Sequence, residues 1–402
     1  MKKLLIVLTV IILSLGAVFG AVALVNWLNA EAMYDYIDTF APVEKEDRLT
    51  PALDEDGAYY FTTDGDFKVL RLTDLHFCGG FLSKSKDKKA INAVAAMVTA
   101  EKPDLVVITG DISFAVPWYG TINNVYAHEY AKRLFERLGV YWTVTLGNHD
   151  SEAYNFHNRS EVAAMYEDES LKYCLFDRGP SDIFGEGNHY INVRNSEGLI
   201  TRSLIMMDSN AYTDEDPLGI KWIYDNIHED QMRWYGEVVA KNNAHNASLG
   251  STDTVKSSLF IHIPISIVKT AYDEYVANGR ADTEDVKYVG GHDGEPDPVV
   301  WGPTSEDGVI DKLLMAGSTD SVFYGHDHLN NFTLDYKGIL LSYGYSIDYS
   351  AYSGISKLGY QRGCTVITYS PDSTLDIVNE NYYQDKYVPL YEKESVDMTP
   401  AK

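Results

Sequence analysis

The sequence predicts an α/β protein, and three observations predict it. From Phe67 onward, short apolar runs alternate with stretches of helical periodicity. That alternation requires crossover connections, which implies a largely parallel sheet. Almost every apolar run also ends in a polar residue or one able to bind metal. In open α/β sheets, ligands collect beyond the carboxyl ends of the strands.

The elements follow in chain order. Lys2 and Lys3 precede an uncharged stretch from Leu4 to Leu28, long enough to cross a hydrocarbon core as one helix. Signal-peptide cores are shorter, so the length favours a retained anchor over residues 1–28. Small residues at Gly20, Ala21, Ala23, Ala30 and Ala32 leave a cleaved signal open. The lysines belong on the cytoplasmic side, so the rest is expected outside the cytoplasm, at the cell membrane or secreted. Residues 29–66 carry Glu44, Glu46, Asp47, Pro51, Asp54 and Gly57 and read as a stalk leading into a short entry segment. The main domain is expected over 67–380, followed by a polar tail over 381–402.

Within that domain Val69–Thr73, Leu105–Thr109 and Tyr141–Leu146 read as buried strands, separated by helices over Lys86–Glu101 and Val125–Leu138. Leu204–Met207, Leu259–Ile263 and Val322–Tyr324 are further strands, with a helix over Glu229–Val239. Gly338–Tyr343 and Cys364–Tyr369 read as closing strands. Ile267–Asp307, with Gly290, Gly291, Gly294, Pro296, Pro298 and Pro303, reads as a turn-rich insertion able to wall a site.

Composition narrows the partners. Hydrophobic residues make up 45% and charged residues 23% of the 402, so a packed core is feasible. The formal net charge is -26, from 33 basic and 59 acidic side chains. Such a surface repels nucleic-acid backbones, so no nucleic-acid partner is expected, and it draws no help from anionic lipid. Cys78, Cys174 and Cys364 form no CxxC pair, and leave either one disulfide with a spare thiol or three buried thiols.

Five strand ends carry the chemistry. They are Thr73-Asp74-Leu75-His76, Gly110-Asp111, Gly147-Asn148-His149-Asp150, His262, and Gly325-His326-Asp327-His328. Imidazole and carboxylate suit zinc, iron and manganese. Asp74 and His76 lie two residues apart, as do His326 and His328, so each pair can project to one side of an extended segment. A carboxylate on a central strand, Asp111, can be shared by two ions. Glycines at 110, 147 and 325 permit tight turns there. Asp150 and Asp327 read as groups that orient their neighbours, and Asp208, at a strand end, as a turn residue before a supporting group of that kind.

The ordered series of these five pieces resembles the calcineurin-like metallophosphoesterase superfamily over residues 67–370. The surrounding Asp208-Ser209, Gln231-Met232-Arg233-Trp234, His262-Ile263-Pro264 and Tyr343-Gly344-Tyr345 are closer to the purple-acid-phosphatase-like branch. The resemblance implies a four-layer α/β/β/α sandwich and two divalent ions (manganese, iron or zinc). It implies that Asp74, His76, Asp111 and His328 hold one ion, and Asp111, Asn148, His262 and His326 the other.

The nucleophile it implies is a metal-bound hydroxide, with catalytic His149 as acid or phosphate contact. The expected activity is hydrolysis of a phosphorylated small molecule, phosphomonoesters before phosphodiesters. The alternatives are a small-molecule phosphodiesterase and a catalytically silent surface binding protein on the same fold. One departure stands out. Purple acid phosphatases place an iron-binding tyrosine three residues after the Gly-Asp aspartate, and Phe114 stands here. No obligatory ferric ion is therefore expected.

Overall fold

The computed structural model of the chain describes residues 2–352, 355 and 357–399. Helix α1 (Lys2–Ile37) is followed by strands β1 (Ala52–Leu53), β2 (Tyr59–Thr62) and β3 (Phe67–Leu72). Next come α2 (Lys84–Glu101), β4 (Leu105–Thr109), α3 (Val125–Leu138), β5 (Trp142–Thr145) and α4 (Arg159–Tyr166). The middle of the chain holds β6 (His189–Arg194), β7 (Ile200–Met206), α5 (Glu229–Ser248) and β8 (Ser257–Phe260). Then follow α6 (Ile267–Ala277), β9 (Val286–Gly290), α7 (Val309–Ala316) and β10 (Thr319–Tyr324). Strands β11 (Thr333–Tyr336), β12 (Ile339–Tyr343), β13 (Gly363–Tyr369) and β14 (Leu375–Asn381) close the chain.

These strands form two sheets. One runs β1-β2-β6-β7-β8-β10-β12-β11-β9, the other β14-β13-β3-β4-β5. Their facing surfaces share one apolar layer, in which Phe67, Val69, Leu105 and Val107 meet Leu204, Met206, Phe260 and Phe323. The outer face of the five-stranded sheet packs on α2, α3 and α4 through Leu70, Val106, Ile91, Val94 and Leu134. The outer face of the nine-stranded sheet packs on α5, α6 and α7 through Ile205, Leu259, Val238, Val268 and Leu313. The architecture is therefore a four-layer α/β/β/α sandwich. Strands covered on both faces read as continuous apolar runs, which is why β4 is Leu-Val-Val-Ile-Thr with every residue buried. Each such Val, Leu or Ile contributes roughly 1.5–3 kcal/mol by leaving water.

The sheets are mixed rather than largely parallel. β3, β4 and β5 pair in parallel, as do β7, β8, β10 and β12 at the centre of the larger sheet. The edges turn antiparallel through β13 and β14 on one sheet and β11 and β9 on the other. Half-exposed strands such as β14, Leu-Asp-Ile-Val-Asn-Glu-Asn, carry too little apolar pattern to be read from sequence. The insertion expected over 267–307 is also more ordered than its glycines and prolines imply. It contains α6, whose Val268, Ala271, Tyr272 and Tyr275 are buried, and the edge strand β9.

Residues 29–66 lie against the main domain for part of their length. α1 continues past the apolar stretch to Ile37, burying Ala30, Met33, Tyr36 and Ile37 against the domain, and Phe61 of β2 is fully buried. Register fixes β2 in the larger sheet, with Tyr59 to Thr62 opposite Ile191 to Arg194. The polar tail is likewise packed over 381–399, where Tyr382 and Tyr387 are buried. All three cysteines are buried free thiols.

Candidate metal centre

The carboxyl ends of five parallel strands meet at one end of the sandwich. Asp74 and His76 follow β3, Asp111 follows β4, and Asn148 and His149 follow β5, all in the smaller sheet. His262 follows β8, and His326 and His328 follow β10, in the larger sheet. Backbone bonds lash the tips together: Asp74 N–H donates to Gly110 O at 3.1 Å, His76 N–H to Asp111 O at 3.0 Å, and Gly325 N–H to His262 O at 3.0 Å. Asp74, His76, Asp111 and His326 all adopt positive φ, between 47° and 76°. That region is uncommon for residues other than glycine, and such strain gathers at functional sites.

The glycines serve a second purpose besides turning. A Cβ on Gly147 would stand 2.1 Å from Asp111 Oδ1, and one on Gly325 would stand 1.9 Å from Thr73 Oγ1 and 2.6 Å from Asp74 Oδ2. Neither has positive φ, so close approach to the carboxylates is what excludes a side chain here.

Two groups of potential ligand atoms result, each spanning no more than 4.8 Å: Asp74, His76, Asp111 and His328, and Asp111, His262 and His326. Asp111 belongs to both. Its Oδ2 lies 3.3 Å from His76 Nε2 and 3.1 Å from His262 Nε2. Asn148 joins the second group, its Oδ1 being 3.2 Å from His262 Nε2. All seven side chains read from the sequence as ligands are thus brought together. The donor set fits a pair of borderline divalent ions: two buried carboxylates, four imidazoles and one amide oxygen.

The outward nitrogens are held as metal-binding histidines require. His262 Nδ1 contacts Thr109 O at 2.8 Å. His76 Nδ1 and His328 Nδ1 face the two oxygens of Asp348, at 3.2 and 3.4 Å. Burial works against ionising Asp111, yet His262 and His149 hold its carboxyl well below the usual range. Burial and neighbouring His262 push His326 well below the ordinary imidazole value, so its ring is neutral. Burial opposes charge on His328 as well, but Asp74 and Asp348 raise it well above that value.

His149 stands beside these groups rather than among them. Its backbone N–H donates to Asp111 Oδ1 at 2.8 Å, and its Nδ1 contacts Glu152 Oε1 at 2.7 Å. Tyr212 joins the cluster, its hydroxyl accepting from Asn148 Nδ2 at 2.9 Å. Phe114 packs edge-on against His149 and 5.2 Å from the His76 ring. A cavity of about 490 Å³ opens over the centre, walled by Phe114, Trp118, Tyr212, Trp222, Tyr224 and Trp301.

Four supporting carboxylates are placed by contacts the sequence did not reveal, or revealed only in part. Asp150 accepts from the backbone N–H of Asp111, Ser113 and Gly147, fixing the bridging loop. Asp327 accepts from Trp301 N–H and from the Tyr343 hydroxyl, and burial beside Glu295 pushes its carboxyl up. Asp208 is not a turn residue: it is fully buried against Arg159, whose guanidinium also donates to Gly147 O and Leu146 O. Asp348 gave no signal, lying in the loop well past the end of β12 at Tyr343 rather than at its tip.

The calcineurin-like phosphoesterase family description matches residues 67–330. Among curated relatives, a probable inactive purple acid phosphatase 29 of Arabidopsis thaliana is 25% identical over 331 residues, covering 76% of this chain and 77% of that one. Phosphatase DCR2 of Saccharomyces cerevisiae is 27% identical, covering 68% of this chain and 46% of the yeast protein. A solved dimetal phosphatase from Danio rerio superposes with a TM-score of 0.47 at 12% identity, covering 76% of this chain and 93% of that one. With more than half its length matched and relatives of the purple-acid-phosphatase-like branch beside it, the chain belongs to the calcineurin-like phosphoesterase family.

Proposed function

We propose that the chain hydrolyses phosphate esters with two divalent ions (manganese, iron or zinc), and that α1 is retained as an anchor holding the domain outside the cytoplasm. The observation that carries the first part is Asp111, common to both ligand groups through a single carboxylate. In this reading Asp74, His76, Asp111 and His328 hold one ion, and Asp111, Asn148, His262 and His326 the other. Bound there, the pair would supply Lewis acidity toward the phosphoryl oxygens and an activated water. His149, steered by Glu152 through Nδ1, leaves Nε2 to hold a proton for the departing oxygen or to contact the phosphoryl group.

Anchoring is supported by α1 itself. It is long and apolar enough to cross a membrane, and it is exposed from Lys2 to Ala21. At its far end Asn26 accepts from Phe81 N–H and donates to Gly120 O, both at 2.8 Å.

Phosphomonoesters stand first among substrates, and one observation favours testing diesters beside them. Among the described residues lining the cavity there is no Lys or Arg to meet a dianionic terminal phosphate, while aromatic walls can seat a second substituent. A silent binding protein, the rival suggested by relatives named as probable inactive, predicts a broken ligand set, and here the set is whole. The deciding experiment is metal analysis of the purified protein followed by assay on p-nitrophenyl phosphate and bis-p-nitrophenyl phosphate. About two ions per chain with turnover of either ester is the expected result. Loaded protein inert on both removes the hydrolase reading.

A further inference from the structure

The metal cavity has a neighbour. An apolar groove of about 610 Å³ lies between α1 and the catalytic domain, lined by Val18, Phe19 and Val22 of the helix and by Phe81, Ile122 and Phe156 of the domain. Groove and metal cavity share two walls. In the segment 116–118, Val116 and Trp118 line the metal cavity while Pro117 lines the groove. In the segment 154–156, Tyr154 lines the cavity and Phe156 the groove. At this rim Trp118 is 64% and Phe156 62% exposed, with Leu82 also exposed nearby. Large apolar side chains so grouped mark an interaction surface, and aromatic ones suit the bilayer interface.

With α1 crossing the membrane as proposed above, the groove beside it would open to lipid. We infer that the substrate is a zwitterionic phospholipid, drawn from the outer leaflet, with an acyl chain in the groove beside α1 and its phosphate over the rim at the metal centre. This rests on the phosphoesterase and anchor readings above, and takes the diester side of the first, since such a lipid carries its phosphate between two alcohols. The head group follows from the cavity walls. Trp222 and Trp301 meet at 90° with ring centroids 5.5 Å apart, and Glu152 and Glu295 face the same space without a Lys or Arg among the lining residues. Aromatic faces with carboxylates and no cation fit an ammonium group. Trp222 holds that corner at φ 57°, a strained conformation for so large a residue. A net charge of -26 disfavours an anionic head group for the same reason. In the reaction, water adds to phosphorus, one P–O ester bond breaks, and the released alcohol leaves with a proton.

The test uses the full-length, metal-loaded protein in phosphatidylcholine nanodiscs. A phosphatidylcholine with a photoactivatable acyl chain is expected to label residues 117–126 and 156 of the domain as well as α1. Phosphatidylcholine should be cleaved faster than phosphatidic acid in the same discs. Ile122→Trp, which fills the groove, should lower lipid turnover relative to p-nitrophenyl phosphate turnover by about ten-fold, since remote binding is spent at the reacting centre. Phe156→Ala, an exposed position, should reduce labelling without that bulk. Turnover of p-nitrophenyl phosphate with labelling confined to α1 and lipid left intact overturns this inference alone. Labelling of the domain loops with neither ester cleaved removes the phosphoesterase reading and the substrate with it, while the groove keeps its lipid.

Discussion

Asp348 Oδ1 lies 3.2 Å from His76 Nδ1, and both side chains are fully buried. The other carboxylate oxygen lies 3.4 Å from His328 Nδ1, so one aspartate turns two imidazoles inward. Its own orientation is set by the backbone N–H groups of Ser350, Ala351 and Tyr352, which donate to it at 2.6 to 2.7 Å. Asp348→Ala is expected to lower metal affinity about 10- to 100-fold, the usual effect of removing a carboxylate behind ligating histidines. Metal titration by calorimetry checks this. Unchanged affinity would show that the histidines need no such support.

Glu152 holds His149 through ring nitrogen Nδ1, at 2.7 Å. If His149 handles a proton, Glu152→Gln should lower kcat about 10-fold or more while leaving KM nearly unchanged. His149→Asn should cost about 100-fold or more in kcat. Both variants should retain two ions, measured by metal analysis, because neither residue is among the proposed ligands. Loss of metal in either would move His149 from proton handling to site assembly.

The contrast between these residues and the ligands explains what sequence could reveal. Asp74, Asp111, Asn148 and His326 each follow a short apolar strand, three of them directly after a glycine and Asp74 after Thr73, so period and punctuation announced them. Asp348 and Glu152 sit in loops, and only the folded backbone brings them to their partners. Arg159 lies in an ordinary amphipathic helix, and its pairing with Asp208 spans two sheets. The same limit applied to the sheets. Core strands such as β4 were legible because both faces are covered, whereas β2, β6, β11 and β14 mix polar and apolar residues at edges or half-covered positions.

Asn26 couples α1 to the domain by bonding both the 81 and the 120 loops, at the foot of the apolar stretch. Asn26→Leu deletes both bonds and leaves Phe81 N–H and Gly120 O to find new partners. A loss of about 1–3 kcal/mol is expected. It should be read as a lower thermal midpoint in detergent and as faster proteolysis of the 79–83 and 117–123 loops. A variant as stable as the parent would mean that α1 docks through Ala30, Met33 and Ile37 alone.

Glu101 ties the chain's two ends together. Burial raises its pKa, but Lys68, Tyr387 and Lys386 donate to it and pull it from an ordinary 4.5 down to about 2. The Lys68 and Tyr387 bonds are both 2.7 Å, joining β3 and α2 to the segment after β14. A carboxyl depressed in the folded state stabilises above its unfolded pKa, and that stability is lost as pH falls through the folded value. Glu101→Gln should therefore be less stable than the parent at pH 7, by about 1.5–3 kcal/mol for bonds to a charged group. The gap should narrow between pH 4.5 and 2 and close below it. Denaturant unfolding of both proteins across that range, followed by tryptophan fluorescence, gives the comparison. A gap that persisted unchanged at pH 2 would mean the contribution is packing of Tyr387 rather than charge, because the protonated carboxyl and the amide would then differ in nothing electrostatic.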